Sequence, residues 1–182
     1  KEKLNLKKLK QTIAQSCNGI SDVSEDAVYD SIDKNIYDGI KKEDLSSSIL
    51  ISVRPLIEKD PNYSYVVARL LLSSIYEEAL TFLDAPEKSP VLDDMQKEYP
   101  SYFKSYLIEA CELNLLDKEL LSFDIDYLSQ QIDSTKDKTF TYLGLQTLYD
   151  RYFIHSNEVR FELPQSFFMR VAMGLAINED KR

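Results

Sequence analysis

Few residues in this chain have the type and spacing to do chemistry. The single histidine, His155, falls in "HSNE", between the apolar runs at 152–154 and 159–163. That pattern predicts a hairpin with His155 in its turn, an exposed position rather than that of a general base. Cys17 and Cys111 with one histidine fall short of the four paired ligands of a structural zinc site. The four glycines are scattered, so there is no glycine-rich phosphate loop. Acidic pairs such as Glu77 with Glu78, and Asp93 with Asp94, are neighbours in sequence and do not share a helix face. They describe solvated surface rather than an acid/base couple. The cluster "YPSYFKSY" at 99–106 could stack a base or carry a radical, but core packing with the hydroxyls reaching polar partners is the favoured reading. The basic opening "KEKLNLKKLK" could meet phosphates, although a solvated helix face explains it as well. From the residues alone, no catalytic and no metal-ligating set is expected.

The bulk composition narrows the classes further. A chain of 182 residues can bury a sizeable core, and 43% hydrophobic with 29% charged residues is ordinary globular composition. A net charge of −9 argues against nucleic-acid binding, which wants a basic face. Two cysteines suit a reducing compartment, and the cytoplasm is the expected location. No apolar run reaches the ~18 residues that suggest a membrane span. The first residue is Lys1 rather than Met, which we read as a piece of a longer polypeptide.

Helices must position whatever this chain presents. Leu6, Leu9, Ile13 and Cys17 recur at helical spacing and mark one buried face, stopped by Asn18 and Gly19. Ser24 caps a second helix that buries Val28, Ile32 and Ile36 and runs to Gly39. A third carries Leu45, Ile49, Leu50, Val53 and Ile57 inward, with Pro55 disturbing its end. A fourth opens at Pro61 and continues to about Leu83. "DAPEKSP" reads as a linker. Beyond it come helical stretches broken at Pro100, one or two short helices in 117–132, a helix over "DKTFTYLGLQTLYDRYFI", the hairpin, and a last helix opened by Pro164. The fold class is mainly α, a four-helix bundle followed by a second helical unit with a short β-hairpin. Arg69 interrupts the apolar run of the fourth helix at the edge of its buried stripe. Its expected partners are Glu25, Asp26 and Asp30 of the second helix.

Several stretches, in order, resemble one family. "NLKKL", "YDGIKKEDL" and "DPNYSYVVARLLL" are similar to the ATP-cone of ribonucleotide reductase large subunits. "DKTFTYLGLQTLYDRYFI" and "ELPQSFFMRVAMGLA" resemble the helical region that precedes the catalytic barrel of the class I α subunit. The resemblance implies a cone-like bundle over 1–83, lacking its first strand and turn, and a helical N-terminal domain over 84–182 without the barrel. It places Glu2, Asn5 and Lys8 on positions that contact allosteric ATP or dATP. It also marks departures: Lys42 stands where the family has Thr, and Glu77 where it has Lys. A carboxylate in place of a phosphate-facing cation reverses an interaction of about 1 kcal/mol near a surface. The cone is therefore expected to be degenerate. The implied partners are the catalytic barrel and the radical-generating β subunit, with no cofactor held in this chain and no nucleic-acid or membrane partner. The implied parent reduces ribonucleoside diphosphates, and this chain alone is expected to be inactive. The alternative is a free-standing acidic helical module that binds a basic protein.

Overall fold

A computed structural model of the chain describes residues 6–37, 39–84 and 95–179. Among the described residues the regular elements are helices and 3-10 turns apart from one two-stranded antiparallel hairpin, so the fold is mainly α. They gather into two compact units. Of the described residues, the first holds those within 6–74 and 138–146, and the second those within 75–137 and 147–179. The linker stretch at 85–90 lies outside the described residues, as does 91–94.

In the first unit, helix α1 (Leu6–Cys17) buries Leu9, Ile13 and Cys17 as their spacing requires, and Gly19 at φ +72 terminates the turn. Leu6, expected on the same face, is 51% exposed because it sits at the helix start. Helix α2 (Glu25–Asp33) is capped by Ser24, whose side chain accepts from the Ala27 N–H at 3.2 Å. Glu25 and Asp26 in its first turn complement the helix dipole. The helix stops well before Gly39, and Ile36 is only half-buried beyond its end. Helix α3 (Lys42–Val53) gives way to a 3-10 turn at Arg54–Glu58 with Pro55 in its first positions. The tighter winding buries Leu56 in the core, with Ile57 half-buried against it. Helix α4 (Tyr63–Phe82) contributes Tyr63, Val66, Val67 and Leu70 to this same core. Burying each large aliphatic side chain contributes about 1.5–3 kcal/mol, which is what holds short helices of modest propensity.

The second unit is organised on helix α5 (Met95–Glu112). It runs unbroken through Pro100, where the sequence suggests a break. The missing N–H costs one helical hydrogen bond near the start of the helix, while Tyr99, Tyr102, Phe103, Tyr106 and Leu107 are all buried along one face. That burial outweighs the proline. A 3-10 turn at Lys118–Ser122 and helix α6 (Ile125–Gln130) follow, capped by Asp117 and Asp124. A further 3-10 turn spans Ser134–Thr139, so helix α7 (Tyr142–Arg151) begins later than "DKTFTYLGL" suggests. Leu143, in the first turn of α7, is exposed.

The hairpin pairs β1 (His155–Ser156) with β2 (Val159–Arg160), His155 opposite Arg160 and Ser156 opposite Val159. Its two turn residues, Asn157 and Glu158, both have positive φ, 48° and 68°, the type I′ geometry that matches strand twist. His155 therefore lies in a strand and not in the turn. Helix α8 (Pro164–Leu175) closes the described fold, with Pro164 in its first turn.

Candidate functional site

Of the three residues that the resemblance assigns to a nucleotide, Glu2 and Asn5 lie outside the described residues. Lys8 lies on the exposed face of α1 beside Lys7 and Lys10. Lys10 stands 5.0 Å over the Tyr29 ring, so this cation packs on an aromatic face of α2. Lys42 opens α3, and Glu77 is exposed on α4.

Arg69 takes different partners from those its sequence position suggests. Its Nη1 donates to the carbonyl oxygens of Asn18 at 2.6 Å and Ser16 at 3.3 Å. These are carbonyls of the last turn of α1 and the residue after it, groups that a helix leaves without intrahelical donors. A guanidinium there satisfies them and meets the negative end of the helix dipole. Burial pushes the neighbouring Cys17 thiol up to about 11, Glu25 adds to the rise and Arg69 opposes it, so Cys17 is an inert core thiol.

The second unit holds two buried carboxylates. Asp137, in the 3-10 turn, is 1% exposed and accepts from Tyr99 Oη at 2.5 Å, Tyr76 Oη at 2.7 Å and Gln165 Nε2 at 2.8 Å. One side chain thus ties α4, α5 and α8 together. Burial raises its carboxyl from 3.8 to about 6, against the lowering effect of Tyr99, Tyr76 and Gln165. Glu162, just past β2, is fully buried. Arg170 grips it through Nε at 2.6 Å and Nη2 at 3.2 Å, and Tyr106 Oη and the Ile154 N–H donate at 2.5 and 2.9 Å. Between the two acids, Tyr102 donates to the Phe161 carbonyl at 2.6 Å and accepts from the Leu163 N–H at 3.1 Å. The tyrosines of "YPSYFKSY" are therefore core residues whose hydroxyls fasten the hairpin and α8 to α5.

Sequence reasoning missed Asp137, Glu162 and Gln165. Glu162 carries one signal: an acid between Phe161 and Leu163, with Arg170 eight residues later. Asp137 carries none, since its donors come from distant segments. Among the described residues no group of three histidine, cysteine or acidic side chains could hold a metal ion. Both cysteines are buried free thiols. No helix among the described residues is long and apolar enough to cross a membrane.

The sequence model of a family described as "Ribonucleotide reductase, all-alpha domain" matches residues 138–182, which include α7, the hairpin and α8. Over 171 residues, 93% of the chain, it is 37% identical to the "Ribonucleoside-diphosphate reductase subunit alpha" of Chlamydia trachomatis. The chain is kin to the ribonucleotide reductase large subunit. The Helicobacter pylori α subunit is 29% identical over 99% of the chain, and the Escherichia coli protein "Ribonucleoside-diphosphate reductase 1 subunit alpha" 27% identical over 97%. The chain spans 16%, 21% and 22% of the lengths of these three reductase subunits.

Proposed function

We propose that the chain serves as the N-terminal regulatory and structural part of a ribonucleoside-diphosphate reductase α subunit. The observation that carries this reading is kinship with α subunits along 93% or more of the chain. The parent enzyme reduces ribonucleoside diphosphates with a radical-generating β subunit, and residues 1–182 alone do not. Residues 1–83 are a cone-type element whose contact with ATP or dATP, through Glu2, Asn5 and Lys8, is weak. An exposed carboxylate at Glu77, where the family carries a cation, supports the weakness.

Residues 84–182 are the helical domain on which the catalytic barrel rests. The outer face of α8 supports this, because Phe168, Val171 and Leu175 are exposed, Leu175 by 81%. Calorimetric titration with ATP and dATP, run on this chain and on the full-length protein, tests the proposal. Little or no heat from the chain at micromolar nucleotide is expected. Micromolar binding by the chain would overturn the degenerate cone. A full-length protein with no reductase activity in the presence of its β subunit would overturn the assignment itself.

A further inference from the structure

Among the asparagines of this chain, Asn18 alone precedes a glycine. Both Asn18 and Gly19 are exposed, and a side chain at Gly19 would meet open space. Among the described residues neither the Asn18 side chain nor the Gly19 N–H makes a hydrogen bond. The other asparagines differ. Asn35 and Asn62 are tied through their side-chain amides to the Ser31 and Ser21 carbonyls, and both precede branched or aromatic residues that crowd the following nitrogen. The Asn18 backbone carbonyl, by contrast, is held by Arg69 Nη1 at 2.6 Å.

We propose that Asn18 is a spontaneous deamidation site whose product is steered to isoaspartate by Arg69. In the first step the Gly19 nitrogen, having lost its proton to hydroxide, attacks Asn18 Cγ. The bond from Cγ to the side-chain nitrogen breaks, ammonia leaves, and a five-membered succinimide closes. Water then adds to one of the two imide carbonyls and cleaves its bond to the Gly19 nitrogen. Net, one water is consumed and one ammonia released, with no oxidant or other co-reactant. A guanidinium on the backbone carbonyl acts at both stages. It withdraws density from the amide and so acidifies the Gly19 N–H, and in the succinimide it marks that carbonyl as the better electrophile. Opening there routes the main chain through Cβ and frees the former backbone carbon as an α-carboxylate. That carboxylate is generated against Arg69, converting a charge–dipole hydrogen bond into an ion pair. The inserted methylene displaces the Ile20 N–H from the Cys17 carbonyl, a 3.1 Å bond that closes the turn after α1.

The test is incubation of the 182-residue chain at mildly alkaline pH, native and in urea, followed by proteolysis and mass mapping that separates aspartyl from isoaspartyl peptides. Asn18 is expected to convert before any other asparagine, at a native rate within an order of magnitude of the unfolded rate. The isoaspartyl fraction should be higher native than in urea. Asn18→Gln, which keeps the backbone carbonyl for Arg69 and closes a six-membered ring far more slowly, should silence that peptide while leaving the melting temperature unchanged. Native protection by more than an order of magnitude, earlier conversion elsewhere, or an isoaspartyl fraction equal in the two states would each overturn the proposal.

Discussion

Tyr99 and Asp137, 38 residues apart in sequence, meet at 2.5 Å inside the second unit, and among the described residues no cation shares the carboxylate. The described donors that reach Asp137 are neutral: two phenols and an amide. A buried charge compensated only by dipoles is held at a penalty, and the raised carboxyl records it.

The folded chain therefore binds the Asp137 proton more tightly than the unfolded chain. The stability from this group is fully present below its unfolded value of 3.8 and is lost as pH rises through about 6. Asp137→Asn mimics the protonated form and should remove this dependence. Urea denaturation of both proteins from pH about 4 to about 7 should show the wild type losing about 2–3 kcal/mol relative to the variant. A constant difference would contradict the assignment.

The Arg170–Glu162 pair should break asymmetrically. The Arg170 side chain is 19% exposed and can turn toward water, whereas Glu162 is fully enclosed. Arg170→Met strands a buried carboxylate and should cost about 3–5 kcal/mol. Glu162→Gln keeps an acceptor oxygen for the Ile154 N–H, with its amide NH2 donating to a re-oriented Tyr106 hydroxyl, and should cost about 1–2 kcal/mol. Equilibrium unfolding of the two variants gives the order, and the reverse order would refute the argument.

Arg69→Ala should free the Ser16 and Asn18 carbonyls and destabilise the first unit by about 2 kcal/mol. For a chain of this size that lowers Tm by roughly 4–8 °C in calorimetry. No change in Tm would mean that the carbonyls are satisfied without the guanidinium.

Glu158 occupies φ +68 in the hairpin turn, a conformation that L-residues adopt at a penalty. Glu158→Gly should raise stability by about 1 kcal/mol, measured by denaturant midpoint at constant m. A loss of stability would mean that the Glu158 side chain contributes more than its backbone costs.

Legibility of the fold followed the range of the interactions. Helix α1, the Ser24 cap and the Pro164 start depend on residues within a turn or two, and their patterns stand in the sequence. Pro100 misleads because a local rule is overridden by five large side chains packing along the same helix. Leu56 joins the half-buried Ile57 at the core because a 3-10 turn shifts the phase after Pro55. Arg69 was recognisable as a stripe-edge residue, but its acceptors are main-chain carbonyls, which carry no side-chain signature. Asp137 was illegible for a similar reason: its environment is made by three helices meeting, and nothing adjacent announces them. The nucleotide positions rest on resemblance, with Lys8 alone of the three on a described helix.

The chain contains twelve tyrosines and no tryptophan, so its near-ultraviolet emission comes from phenols alone. Tyr76, Tyr99 and Tyr106 donate to carboxylates, and Tyr149 donates to Glu78 at 2.7 Å. An excited phenol is a far stronger acid than its ground state and passes its proton to such an acceptor, which quenches the light. The native protein is therefore dim for its tyrosine content, and it brightens as those four pairs come apart.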